Sequence, residues 1–282
     1  MSLVELLIGL LLASVASAGA LTAYAQGRAR YETSQAVSRL QERATYVFST
    51  LEPELQLAGY YGVQGVSLLP SVTAPASATQ CGPAHATRLD VPIETSDHYT
   101  LACPPDASGV VPATSLLTVR RASAQPAAPD AGRLQLLTSL DDPRGRALLA
   151  DGRLPPGIRI IPGLTELHDL VVRSWYVARA SDGDGAEPAL RVKSLTRVAG
   201  EPRFVDTEVM PGVAGLDVRL GVRDVTAVGE GGVRFLAPGA PLPAAPVVAV
   251  QVTLTLQATE SARVVRRLAV TRRFALRNAG AA

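Results

Sequence analysis

Aromatic residues make up only 4% of this 282-residue chain, and lysine occurs once, as Lys193. Cysteine is limited to two residues and histidine to three. Two cysteines cannot staple a disulfide-dependent miniprotein. A net charge of +2, spread along the chain, is too small for a nucleic-acid binder that works by neutralising phosphates. The chain is 47% apolar and 18% charged, which excludes a disordered polymer. Arginine replaces lysine almost throughout, and Ala, Gly and Pro are abundant, a bias of base composition rather than of function. The length accommodates one large domain or two small ones, with an ample core.

Charge is also missing from the opening run, where Glu5 is the one charged side chain between Met1 and Ala25. A helix of that length crosses a hydrocarbon layer of roughly 30 Å at about 1.5 Å per residue. Ala16-Ser17-Ala18 looks like the cleavage site of a secretory signal. That reading is opposed by the lack of Lys or Arg before the apolar run, and by its continuation through Leu21 to Ala25. Residues 1–25 are therefore read as a membrane-spanning half-helix anchored by Leu3, Val4, Leu6, Leu7, Ile8, Leu10, Leu11 and Leu12.

No helix breaker follows. Val37, Leu40, Ala44, Val47, Leu51, Leu55 and Ala58 recur at spacings of three and four, the stripe of an amphipathic helix over residues 26–58. Pro53 threatens the last turn, and Gly59 and Gly62 stand where a helix stops, so its end is expected between Leu51 and Gly59. Glu5 has two readings. A carboxylate at bilayer depth costs ~3 kcal/mol on insertion scales, so it either rises to the headgroups or finds a cation. The simplest cation is the amino terminus of a neighbouring helix.

The stretch Ser2-Leu3-Val4-Glu5-Leu6-Leu7-Ile8-Gly9-Leu10 resembles the mature N-terminus of type IV pilins and of type II secretion pseudopilins. The resemblance covers roughly the first fifty residues, with Met1 where Phe is usual and Thr22 where the family has proline. It implies removal of a basic leader by a prepilin peptidase, methylation of the new amine at Met1, and pairing of Glu5 with a subunit's amino terminus during assembly. The positive charges nearest the span lie after it, at Arg28 and Arg30, which orients the chain backwards for export unless such a basic leader precedes it.

Residues 59–282 read as an exported β-rich domain, with a possible subdomain at 60–150. Val250, Val252, Leu254 and Leu256 alternate with polar residues, as do Leu216, Val218, Leu220 and Val222, giving strands with one dry face. Segments 171–180 and 190–198 flank Ser-Asp-Gly-Asp-Gly-Ala-Glu-Pro, a hairpin signal. Further strands are expected at 116–121, 134–140 and 264–276, the last carrying Arg266, Arg267, Arg272 and Arg273, which need water or carboxylates. Pro/Ala-rich stretches at 70–78, 122–131 and 237–246 read as loops. The fold class is α+β: the seam of a long helix packed on an antiparallel sheet.

The order Val172-Arg173-Ser174-Trp175-Tyr176-Val177, then Met210-Pro211-Gly212-Val213, then Val250-Gln251-Val252, then Leu276-Arg277-Asn278 is similar to that of PilW-type minor pilins, with J-type minor pseudopilins as the nearest confusable relatives. The resemblance implies a pilin fold, an inner-membrane protein with a periplasmic domain, and later a place at the pilus tip. It implies as partners other minor pilins, the major pilin, a tip adhesin and the inner-membrane assembly platform, with no cofactor and no catalysis.

Cys81 and Cys103 allow two readings. In an oxidising compartment they form a disulfide. With His85 and His98 they also supply the ligand set of tetrahedral zinc, at finger-like spacings. Asp182, Asp184 and Glu187 resemble part of a calcium loop but lack the distal bidentate glutamate. No nucleophile elbow, zinc-protease helix or phosphate loop occurs. His168 beside Asp169 reads as a satisfied polar residue rather than a base, and Trp175 as core. A membrane-tethered adhesive or binding module that enters no filament is the alternative function.

Overall fold

The computed structural model describes residues 2–63, 76–141, 147–183, 187–224, 232–243, 245–260 and 263–278. Helix α1 runs from Leu3 to Gln56, 54 residues without interruption, or about 80 Å at the usual rise. Two hydroxyls of its apolar half bond back to the helix. Ser14 donates to the Leu11 carbonyl at 2.8 Å, and Thr22 to those of Gly19 and Ala18 at 2.8 and 3.1 Å. Such back-bonding gives these two hydroxyls partners without water. Pro53 lies within the last turn, and α1 ends at Gln56 inside the expected window. Gly59 then turns with φ of +75°, a conformation that favours glycine.

Among the described residues eleven strands follow, all paired antiparallel. Strands β1 (Ile93–Ser96), β2 (Leu116–Ala122), β3 (Ala131–Ser139), β4 (Ala147–Asp151), β5 (Thr165–Ala178), β6 (Ala189–Val198) and β7 (Glu201–Pro211) make a seven-stranded sheet. Strand β5 organises it. Its first residues pair with β3 and its later ones with β2 and β6, so the strands of segment 60–150 share one sheet with β5, β6 and β7. Strands β8 (Val213–Asp224), β9 (Gly232–Phe235), β10 (Val247–Glu260) and β11 (Arg263–Ala275) form a second sheet in the order β11-β10-β8-β9.

The alternating dry face in β8 and β10 is present as the pattern dictates. Leu216, Val218, Leu220, Val250, Val252 and Leu254 are buried while their neighbours, Gly221 excepted, are partly or fully exposed. The C-terminal half of α1 lies on that face, with Leu40, Val47, Phe48, Leu51 and Leu55 at 1% exposure or less. The inward face of the first sheet (Leu117, Val119, Trp175, Val177, Leu190) closes the same core. A second, smaller core lies on the other face of β2, β3 and β5, under the segment that includes Tyr61, Ala78, Ala86 and Leu89.

The sheet is larger than the pattern predicts. Strands β1, β4, β7 and β9 stand outside the expected segments, and β5 begins at Thr165 rather than Val171. Of the expected loop at 70–78, residues 70–75 lie outside the described residues and Ala76–Ala78 form a short 3-10 turn. Ala122 and Ala131 belong to strand ends, which confines that connection to 123–130.

Candidate functional site

The first candidate surface is the N-terminal half of α1. Leu3, Val4, Leu6, Leu7, Ile8, Leu10, Leu11 and Leu12 are 55–79% exposed, and nothing in the chain covers them. Among the described residues this is the one helix long and apolar enough to cross a membrane. At Glu5 the backbone is helical, while its side chain and the whole of Met1 lie outside the described residues. Tyr24 and Tyr31 follow the apolar run and are exposed, as interfacial aromatics are.

The second is the junction that fixes this anchor to the β domain. Glu54, buried near the end of α1, accepts two hydrogen bonds of 2.9 Å from Arg121 on β2 and one of 2.5 Å from Arg173 on β5. A bidentate guanidinium–carboxylate pair has one geometry, so it sets the rotation of the helix on the sheets as well as its height. Arg43 donates to Glu187, ahead of β6, at 3.2 Å. Both pack against Gly212, whose φ is +79° and whose backbone bonds Pro188 and Gln257. A Cβ there would collide with the Arg43 guanidinium and the Gln257 carbonyl and crowd the Glu187 carboxylate, a physical reason for glycine at this position. Phe274 of β11 packs on Phe48 with ring centroids 6.1 Å apart. The Asn278 amide donates to the Gln56 carbonyl at 3.3 Å, occupying one of the acceptors a helix end leaves unpaired.

The third is the face of the first sheet turned away from α1, roofed by the segment that carries the two cysteines. Cys81 and Cys103 form a disulfide, with an S–S distance of 2.10 Å. That resolves the two readings against zinc: the sulfurs are bonded to each other, and the two histidines point elsewhere. His98 is exposed beside Asp97 at 2.6 Å. His85 is turned inward, its Nε2 3.1 Å from the Ser174 hydroxyl, which in turn lies 2.9 Å from Thr118. No group of three or more metal-binding side chains occurs among the described residues.

The Ser174–His85 contact carries the elements of a nucleophile and base, but the third group has the wrong sign. Burial, and then the Arg120 guanidinium, push the imidazole down to about 4, where a catalytic pair needs a carboxylate to hold an imidazolium. Arg120 is itself fully buried. It donates to the His85 and Val91 carbonyls at 2.8 Å each and to Glu94 at 3.2 Å, and burial lowers its own pKa. Burial opposes ionisation of Glu94, yet the hydrogen bond from Arg88 and the charge of Arg120 win and hold its carboxyl below the usual range. A cavity of about 400 Å³ opens beside the disulfide onto these groups, which are already paired with one another.

Lys193, the lone lysine, donates to Asp206 at 2.6 Å, and Arg191 and Tyr176 donate to the same carboxylate at 2.7 and 2.5 Å. Burial again raises that carboxyl, and the three donors outweigh it. This network, unseen in the sequence, ties β5, β6 and β7 together under the roof. The carboxylates of the incomplete calcium-loop pattern have other partners: Asp182 pairs with Arg191 and Glu187 with Arg43, while Asp184 lies outside the described residues. His168 is buried inside β5 between the Ser123 carbonyl and Glu166, at 2.8 and 3.0 Å, a satisfied residue as expected. Trp175 is core, with its indole N–H unpartnered.

These features define an α+β protein whose single long helix has one half packed in the domain and one half free for a membrane. No family model, curated protein or solved structure matches the chain.

Proposed function

We propose that this chain is a structural minor pilin of the PilW type, which helps prime assembly of a type IV pilus and sits at its tip. It is held in the inner membrane by residues 1–25 with its β domain in the periplasm, and catalyses no reaction. Its partners in this reading are other minor pilins, the major pilin, a tip adhesin and the assembly platform, after processing by a prepilin peptidase. The observation that carries the reading is one rigid rod with two solvents: an unbroken α1 whose exposed apolar half holds Glu5, and whose other half is welded to the domain through Glu54. A rod fixed this way passes the position of its membrane half directly to the exported domain, as subunit addition requires. Between helices in lipid, apolar contact gives little drive, so close packing and the Glu5 pairing set the register.

The test replaces the sole copy of the gene by Glu5→Ala. The exported domain stays folded, measured by its melting temperature, while surface pili fall to a small fraction of the parent number. Normal piliation in that strain overturns the reading.

A further inference from the structure

The positive charge of this protein is not evenly placed. Residues 213–278 hold nine arginines against four acids, a net of +5, while the remainder has 18 basic and 21 acidic residues, a net of −3. Those arginines lie on the four-stranded sheet and the residues that follow it. Strand parity divides them. Phe274, Leu254 and Leu220 point to α1 and the core, so Arg219, Arg223, Arg267 and Arg273 belong to the opposite face, and all four are exposed. Of these, Arg219 alone meets a carboxylate, Asp217 at 3.0 Å. Arg273 donates to Gln251 and stacks over Phe235 at 5.0 Å. Arg223 and Arg267 make no salt bridge among the described residues.

The layout of this face speaks for its partner. Arg219, Gln251 and Arg273 stand in one cross-strand row, and Asp217, Thr253 and Thr271 in a neighbouring one. Arg267 and Arg273 are six residues apart on one strand, about 20 Å, too far for a single small ion to bridge. Guanidinium forks bind carboxylates bidentately, and the interleaved hydroxyls and amides suit alcohol groups between the charges. Single-stranded nucleic acid needs aromatic platforms for its bases, and Phe235, the aromatic side chain next to this face, is already covered by Arg273. Because α1 occupies the dry side of the sheet, any assembly made by bundling α1 leaves this side turned outward.

The geometry points to the outer face of the β8–β10–β11 sheet as a docking surface for an acidic polysaccharide, a chain of carboxylated sugars outside the cell. The inference needs α1 on the dry face but not the pilus reading, so failure of the Glu5 experiment leaves it standing, and its own failure leaves that reading untouched.

The full-length chain, held in zwitterionic-lipid nanodiscs, is titrated with polyguluronate, with neutral dextran and with a short DNA duplex. Polyguluronate binds, dextran does not, and the affinity for polyguluronate falls steeply with added salt. The double variant Arg267→Gln, Arg273→Gln weakens polyguluronate binding by roughly tenfold or more, since charged hydrogen bonds are the strong ones. The control pair Arg153→Gln, Arg159→Gln, exposed in another part of the chain, leaves binding unchanged. Binding that ignores salt, equal losses in both pairs, tighter binding to the duplex, or no binding to polyguluronate overturns the proposal. If the double variant does not fold, the salt series and the three-ligand comparison on the unaltered chain decide alone.

Discussion

The two halves of α1 contain the same kinds of residue in opposite surroundings. Leu7 and Leu10 are 58% and 66% exposed, whereas Leu51 and Leu55 are at 1% and 0%. Helix propensity cannot distinguish them, since leucine favours helix in both places. What differs is what the chain supplies. The second half meets Phe274, β10 and β11, and its Glu54 meets Arg121 and Arg173. The first half meets nothing within the protein and so must take its solvent from outside. The difference teaches that apolar content makes a helix ready to be buried, and that tertiary partners alone decide whether the protein itself does the burying.

The largest break in the comparison comes from Glu54→Ala, which leaves Arg121 and Arg173 facing an empty position. Breaking a buried pair by removing one partner destabilises by about 3–5 kcal/mol, read as a shift of the urea midpoint. Membrane retention through the first half is unaffected. A paired experiment sharpens the contrast. Leu51→Ala lowers domain stability by about 3 kcal/mol through lost burial and a residual cavity. Leu7→Ala, the same change on the uncovered half, leaves the domain's melting temperature within a degree or so. Equal losses from the two leucine variants would mean that the exposed half packs on its own domain.

The smallest effect concerns the roofed face. His85 titrates at about 4 when folded, against an ordinary value of 6.5. On acidification the unfolded chain therefore takes up its proton first. The folded state keeps its full advantage above about pH 6.5 and loses it as the pH falls toward 4. Between pH 7 and 5 the loss is about 1–2 kcal/mol by linkage. Comparing unfolding free energies of the parent and His85→Gln at those two pH values checks it: the variant's dependence is flatter.

Where periodicity was strong, residues sufficed to place structure. The seam from Leu40 to Leu55 and the alternation in Val250–Leu256 locate α1 and β10 directly, since each element buries one face. The sequence was mute where burial is two-sided or where charge is internal. Strand β7 shows no dry face because Asp206 and Glu208 are neutralised by Arg191 and Lys193 from the neighbouring strand. A carboxylate in a linear sequence looks like a solvated one. Glu54 was hidden for the same reason, standing among the polar residues of an amphipathic helix while its partners lie 67 and 119 residues away. The disulfide was legible as one of two options, which the bond between the sulfurs and the inward turn of His85 toward Ser174 and Arg120 separate.

The order in which the parts are synthesised has a consequence for folding. Leu51 leaves the ribosome early, but the strands that cover it, β10 and β11, and the amide of Asn278 that closes on Gln56 come last. Contacts so remote in sequence form slowly, after long loops have closed. The growing polypeptide therefore carries its hydrophobic stripe bare until β10 and β11 have been made. A chain stalled midway would present both halves of the rod as one continuous sticky surface.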